Sequence, residues 1–325
     1  MGTDAAPAVE VEGALRALTE LDEDIEIVLV GDPDLIRAEI DRHDNVDSDR
    51  LRIQPASQRV LAGDSASTVL RKKPDSSIAV GLRLQKEGEV DAFVSAGSTG
   101  AVMATSLFVL RPLPGVERPS VGAFFPTRGA PILLLDAGTN VDCKPRQLVQ
   151  FAHLGRVYMA DVLGVESPRI GLLNIGEEPG KGDELAQETH RLLAADSGLN
   201  FVGNIEGREI LEGSCDVLVA DGFAGNVLLK FYESVAHFVI GLVEAELDRA
   251  GERPPLDSVA RLLDYSEYGG APLLGVNGVA IICHGGSPPK AIRNAIRVAA
   301  QAVRSDMVAD MASELASDRP TPETS

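Results

Sequence analysis

The side chains best suited to chemistry in this sequence stand in glycine-bearing loops. Lys181 sits between Gly180 and Gly182, among Glu177, Glu178, Asp183 and Glu184, at a predicted helix start. It reads either as a solvated surface charge or as a cation aimed at an anionic ligand. Asn226 ends the run Asp221-Gly-Phe-Ala-Gly-Asn226 ahead of an apolar helical stretch, so its amide suits either a helix cap or a donor to a carbonyl or phosphate oxygen. Three more loops share this character: Ser95-Ala-Gly97-Ser98-Thr99-Gly100, Asp136-Ala-Gly-Thr-Asn140 and His284-Gly-Gly-Ser287; the Lys181 loop itself begins at Asn174-Ile-Gly-Glu-Glu178. Glycine lets backbone N–H groups approach an anion at a helix start, and the series points to a phosphate-like ligand. Of the histidines, His284 alone falls in such a loop; His43 lies in a polar loop, and His153, His190 and His237 lie in helical stretches where packing or solvation is the default. No histidine stands beside a serine nucleophile motif. Cys143, after Asn140-Val-Asp142, could accept an acyl group but reads first as an unreactive thiol.

Other chemistries are poorly served. No GxGxxG follows a predicted strand, and Gly176-Glu-Glu-Pro-Gly180-Lys181-Gly182 is one residue short of a phosphate-binding P-loop and lacks its Ser or Thr. Glu177 and Glu178 have no histidine partner, and Cys143, Cys215 and Cys283 form no CxxC pair, so no metal, no cofactor and no disulfide framework is expected. With 30 Lys and Arg against 49 Asp and Glu, the chain carries −19 and repels nucleic acid. The sequence has no apolar run near the roughly 18 to 20 residues of a spanning helix and no signal-peptide pattern, which places the expected protein in the cytoplasm.

These loops need elements to hold them. Short apolar runs at residues 25–30, 91–95, 132–136, 169–174, 216–220 and 279–283 read as buried parallel strands, and stretches such as 145–161 and 183–195 carry apolar residues at helical spacing. The alternation predicts an α/β fold: a doubly wound, mostly parallel sheet with helices on both faces and the loops gathered along the carboxyl edge of the strands. No linker cuts the 325 residues, so one α/β domain is expected over 1–312, with a helical excursion at 239–264, interrupted by Pro254 and Pro255, and a disordered tail at 313–325.

In order along nearly the whole chain, five runs resemble the bacterial phosphate acyltransferases of phospholipid synthesis, the PlsX family. They are Asp91 to Gly100, Asn140-Val-Asp-Cys-Lys-Pro145, Gly171-Leu-Leu-Asn-Ile-Gly-Glu-Glu178, Asp221 to Asn226 and Leu263-Asp-Tyr-Ser-Glu-Tyr-Gly-Gly-Ala-Pro-Leu-Leu-Gly-Val276. The resemblance implies transfer of a fatty acyl group from acyl carrier protein to inorganic phosphate. The product, acyl phosphate, would pass to a glycerol-3-phosphate acyltransferase. It also implies a fold like that of phosphotransacetylases and isopropylmalate dehydrogenases, and a homodimer. It puts the catalytic roles on Lys181 and Asn226, with Asn174 and the loop residues Ser95, Gly97, Ser98, Thr99 and Gly100 as binding positions. Asn140, Gly180, Gly182 and His284 join them as candidate phosphate contacts from the loop chemistry alone. The alternative is a dehydrogenase-like or phosphotransacetylase-like enzyme of the same fold acting on another anionic substrate.

Three features depart from a simple match. An acidic carrier protein needs a local basic patch on a −19 chain, either Lys290, Arg293 and Arg297 or Lys144 and Arg146. Residues Met1 to Pro7 resemble the family's loop after its first strand, with Thr3 and Ala6 replacing the usual glycine and histidine; that strand is expected either upstream of Met1 or missing from the sheet. The 239–264 segment resembles the family's membrane-attaching hairpin, yet from Glu244 to Asp264 it carries six acids against three arginines, which predicts only weak peripheral membrane contact that strengthens with salt.

Overall fold

A computed structural model gives the fold and describes residues 2–44, 46–47, 49–61, 64, 69, 71–127, 129–250 and 268–317. In chain order the first elements are α1 (Ala8–Glu20), β1 (Ile27–Gly31), α2 (Pro33–Ile40), β2 (Leu51–Pro55), α3 (Ser77–Lys86), β3 (Ala92–Ser95) and α4 (Thr99–Val109). Next come β4 (Ser120–Val121), β5 (Ala123–Phe125), β6 (Ile132–Leu135), α5 (Pro145–Asp161), β7 (Arg169–Leu173), α6 (Glu184–Ala195), β8 (Asn200–Ile205) and α7 (Gly207–Ile210). The chain ends with β9 (Val217–Val219), α8 (Gly222–Ala250), β10 (Ala271–Leu274), β11 (Val279–Ile282), α9 (Pro289–Arg304) and α10 (Met307–Ser317).

The chain divides into two compact units, although no linker marks the division. The first comprises Met1–Pro119, Asp161–Gly164 and Tyr268–Ser325; the second, Ser120–Ala160 and Val165–Glu267. In the first unit β11 pairs in parallel with β3 and antiparallel with β10, while β1 and β2 form a separate parallel pair. Helix starts follow capping chemistry: Asp32 accepts from the N–H groups of Asp34 and Leu35 with Pro33 in the first turn of α2, and Ser76 accepts from Ala79 N at α3.

The second unit is a five-stranded sheet in the order β5-β6-β9-β7-β8, parallel except for β5. Its central strands, Ile-Leu-Leu-Leu in β6 and Val-Leu-Val in β9, are wholly buried, as an uninterrupted apolar run requires when helices cover a parallel sheet. Arg169 and Asp216 fasten the strand starts: Arg169 Nη2 and Nε donate to the two carboxylate oxygens at 2.8 and 3.1 Å, and Arg169 N donates at 2.7 Å. On α5, Gly155 lets the helix lie against the sheet, since a Cβ there would stand 2.5 Å from Val217 Cγ1 and 2.9 Å from Leu135 Cδ1.

Two expectations change. The tail predicted as disordered from Ser313 begins instead as helix, because α10 continues through Ser317 and buries Leu315. By length and composition α8 reaches the size of a membrane span over Gly222–Arg249, although the sequence shows no run that is apolar throughout. Of the excursion at 239–264, residues 251–264 lie outside the described residues, as do 318–325 of the tail and 263–267 of the last motif.

Gly155 yields a stability test. Alanine favours a helix interior over glycine by about 0.5 to 1 kcal/mol, but here the methyl meets two buried side chains, and overpacking costs about 1 to 3 kcal/mol. Gly155→Ala is therefore expected to lower the urea midpoint; a raised midpoint would show that α5 stands off the sheet.

Candidate active site

In the second unit β9 lies between β6 and β7. Its following loop, Asp221 to Asn226, is thus flanked by the loops after β6, Asp136 to Asn140, and after β7, Asn174 to Gly182. These three carry Lys181, Asn226, Asn140, Asn174, Gly180 and Gly182, and adjacent strands set the loops about 4.8 Å apart at their roots.

The loop after β6 is organised by Asp136, whose side chain is buried. Oδ1 accepts from the N–H groups of Gly138 and Thr139, both at 3.1 Å; Oδ2 accepts from Asn140 N at 2.6 Å and Asn140 Nδ2 at 2.7 Å. The Asn140 amide nitrogen, a candidate phosphate contact in the sequence, is thus spent on holding its own loop. Asn140 O accepts from Gly222 N at 2.8 Å, which joins this loop to the start of α8. Gly225 then passes so close that a Cβ on it would lie 1.9 Å from Asp136 O.

Asp221 caps α8, accepting from Phe223 N at 2.8 Å and Ala224 N at 3.0 Å. The capping role open to Asn226 is therefore filled by Asp221, and Asn226 stands exposed within the helix, its side chain beside Gly138, where a Cβ would lie 3.1 Å from Asn226 Cγ. An amide so placed is exposed and available as a donor, with its Cγ set against the Gly138 backbone.

Lys181 has a fixed backbone and a side chain that runs past Gly176 to a weak surface pairing. Its N–H donates to Glu178 O at 3.0 Å, its carbonyl accepts from Asn174 Nδ2 at 3.1 Å, and Gln187 Nε2 holds the carbonyls of Gly180 and Gly182. Gly182 has φ +85°, a left-handed conformation that favours glycine. The Lys181 ammonium is 3.8 Å from Glu178 Oε2 and about half exposed; such a surface pair is worth little, so the ammonium can turn to another anion at small cost.

The remaining candidates belong to the first unit, at the ends of the paired strands β3 and β11, where Cys283 N donates to Ser95 O at 2.8 Å. Ser95 Oγ accepts from Gly97 N, Ser98 O receives the first helical bond of α4 from Val102 N, and Thr99 and Gly100 are exposed on its first turn. His284 is exposed, with Nδ1 accepting from Gly286 N at 3.2 Å, which places its proton on Nε2 when neutral. The sequence candidates thus form two loop clusters, one on each unit.

The cysteines separate by burial. Burial pushes the thiols of Cys215 and Cys283 up to about 12, and Cys143 Sγ donates to Asn140 O at 3.1 Å. Among the described residues no three His, Cys, Asp or Glu side chains group as metal ligands.

Comparison with known proteins adds a family to this geometry. Residues 1–310 match the family model described as "Fatty acid synthesis protein". The chain is 47% identical over 317 residues to the "Phosphate acyltransferase" of Halothermothrix orenii, covering 95% of this chain and 94% of that protein. It is 50% identical over 307 residues to the "Phosphate acyltransferase" of Geobacter sp. strain M21, covering 92% and 86%. Among solved structures, the EutD phosphotransacetylase of Staphylococcus aureus superposes with TM-score 0.60 at 18% identity, over 91% of this chain and 92% of that one. A phosphotransacetylase from Streptococcus pyogenes gives the same TM-score at 19% identity, over 91% and 93%. These last two likenesses concern the fold, which is the phosphotransacetylase-like α/β fold expected. The chain belongs to the fatty acid synthesis protein family and is an acyltransferase.

Burial pushes the Asp136 carboxyl above the ordinary carboxylate range, outweighing the donors on Thr139, Asn140 and Gly138 that pull it down. The native state therefore holds this proton more tightly than the unfolded chain. Its stabilising contribution is complete below the unfolded pKa of about 3.9 and is lost as pH rises through the native value. In Asp136→Asn that dependence is gone, while the loss of acceptors for the loop donors remains. Urea titrations from about pH 3.5 to 7 are expected to show a destabilised variant whose deficit shrinks as pH rises; a deficit that grows would contradict the shift.

Proposed function

We propose that this member of the family transfers a fatty acyl group from acyl carrier protein to inorganic phosphate, and that the acyl phosphate serves a glycerol-3-phosphate acyltransferase in glycerophospholipid synthesis. The observation that carries the reading is that the loops after adjacent strands β7 and β9 present a lysine whose ammonium has only a weak surface partner and an asparagine seated beside Gly138. The name shared by relatives at about half identity supports phosphate as the acceptor.

The chemistry asks little beyond placement and charge. An oxygen of the phosphate dianion attacks the thioester carbonyl carbon, the carbonyl oxygen takes up negative charge, and the C–S bond then breaks. The carrier thiolate leaves and is protonated from water; with a thiol pKa of about 8.5 it is a competent leaving group. Lys181, mobile and cationic, suits capture of the phosphate and its delivery to the carbonyl. Asn226, fixed on α8 beside Gly138, suits donation to the oxyanion, a role whose loss typically costs about 3 to 4 kcal/mol of barrier. Neither role requires a cofactor or a nucleophilic cysteine.

The carrier is expected to dock near Lys144 and Arg146. Both are exposed and follow the Asn140 loop, whereas Arg293 of the other basic cluster is engaged by Glu20 at 2.9 Å. The enzyme works as a homodimer in the cytoplasm, with weak peripheral membrane contact. Support for the dimer comes from one stripe of α8, where Phe223, Val227, Phe231, Val235, Phe238 and Leu242 are each 39 to 68% exposed. Contiguous apolar patches of this kind mark interaction surfaces, and a second α8 presents the matching stripe in a two-fold pair.

Two measurements follow. Release of carrier thiol from acylated acyl carrier protein is expected to depend on added phosphate, to fall about 100-fold or more in Lys181→Ala and Asn226→Ala, and to change little in Cys143→Ser. Full activity in Lys181→Ala would remove that residue from the mechanism. In sedimentation equilibrium the parent chain is expected at twice its 34.3 kDa and Phe231→Glu at the monomer mass; a Phe231→Glu dimer would place the interface elsewhere.

A further inference from the structure

The edge strand of the second unit's sheet is irregular just before it meets the Lys181 loop. Ile170 of β7 pairs with Phe201 of β8, but the next residue, Gly171, pairs with Gly203, so Val202 is an extra residue in β8. Such bulges re-aim the side chains that follow them. Along a regular strand Asn204 would share the face of Asn200 and Val202, which are exposed. The bulge reverses that alternation, with Gly203 at φ +106°, a conformation that favours glycine. Asn204 consequently turns inward and is only 5% exposed.

What Asn204 meets there is the turn that carries Lys181. Its Nδ2 donates to Glu178 O at 2.9 Å, and the same carbonyl accepts from Lys181 N at 3.0 Å. Asn174, where the loop begins, donates its N–H to Ile205 O at 3.0 Å. The end of β8 thus holds the loop both at its root and at its turn. The other side-chain anchors, Asn174 Nδ2 on Lys181 O and Gln187 Nε2 on the carbonyls of Gly180 and Gly182, are exposed bonds, for which water competes. Asn204 supplies its anchor from a buried side chain. Its Oδ1, also buried, finds no donor among the described residues. A buried acceptor without a partner costs stability. An aliphatic side chain of similar size would escape that cost and leave Glu178 O its bond from Lys181 N. The amide is therefore a poor choice for packing and a good one for fixing the loop.

We propose that Asn204 is a positioning residue for phosphate binding: through Glu178 O it holds the turn that aims the Lys181 ammonium, and the bulge at Val202 brings it there. This rests on the reading of Lys181 as the cation that captures phosphate.

Asn204→Leu tests the proposal, because it removes the donor together with the unpaired acceptor; Asn204→Ala takes its place if the leucine variant does not fold. The urea midpoint is expected to change little, while amide exchange at Lys181 becomes at least about tenfold faster. Inorganic phosphate, with ionic strength held constant by sodium chloride, is expected to protect Lys181 from acetylation by an amine-reactive ester. The phosphate concentration for half protection is expected to rise about fivefold or more in the variant. In the thiol-release assay KM for phosphate is expected to rise by the same factor with KM for the acylated carrier unchanged. Added to Lys181→Ala, the substitution is expected to change activity less than about twofold. A lowered urea midpoint with exchange and half protection unchanged would make Asn204 a packing residue and overturn the proposal, as would phosphate that protects Lys181 in neither protein. Thiol release that needs no phosphate, alongside a shifted half protection, would remove the acyl-transfer reading and keep Asn204 in its role. Phosphate-dependent release with equal half protection in the two proteins would keep that reading and overturn the role of Asn204.

Discussion

The active edge of the second unit depends on one contact between backbone and backbone. Asp136 O and Gly225 approach so closely that any side chain at position 225 would force α8 away from the sheet. Because the contact is made, Gly222 N reaches Asn140 O, and Asn226 comes to rest beside Gly138. The Asp136 carboxylate then gathers the three N–H groups of its loop, so that the surface facing Asn226 is itself rigid. A residue with no side chain thereby sets the position of the Asn226 amide, the donor proposed for the oxyanion.

Lys181 is held on the opposite principle. Its backbone is tied down by Asn174, Gln187 and the turn to Glu178, while its ammonium has only a weak surface partner. Capturing a diffusing dianion rewards reach, whereas stabilising an oxyanion rewards donors that need no rearrangement at the moment of reaction. In the proposed roles, Lys181 supplies reach and Asn226 a short amide set by the α8 backbone.

Much of this is legible in residue order. The strands β6, β9 and β11 are continuous, buried apolar runs, as a strand covered on both faces requires, and β3 and β7 are largely so. The elements that escape such a reading are those without that signature: β2, with its half-exposed Leu51-Arg-Ile-Gln-Pro55, β8, with Asn at both the start and near the end, and the antiparallel β10, which begins Ala271-Pro272. The loop residues are legible as a set but not in their roles. Asn140 and Asn174 look like ligands in sequence, and the structure spends an amide nitrogen of each on the loop backbone or on Asp136. Asp136 reads as one more loop residue; the signal available is an acid directly after four buried aliphatic residues, where a carboxylate survives only if backbone donors surround it. The division into two units leaves no trace in composition; one of the crossings between them falls at the end of helix α5, between Ala160 and Asp161, with no glycine, proline or serine run to mark it.

The central claim is that phosphate itself attacks the thioester, with no acyl group resting on the protein. It is tested most directly by the intact mass of the protein after mixing with acylated acyl carrier protein in phosphate-free buffer. An unchanged mass is predicted, with carrier thiol appearing only once phosphate is added. A mass increase of one acyl group, mapped to Cys143 or any other side chain and discharged by phosphate, would contradict it.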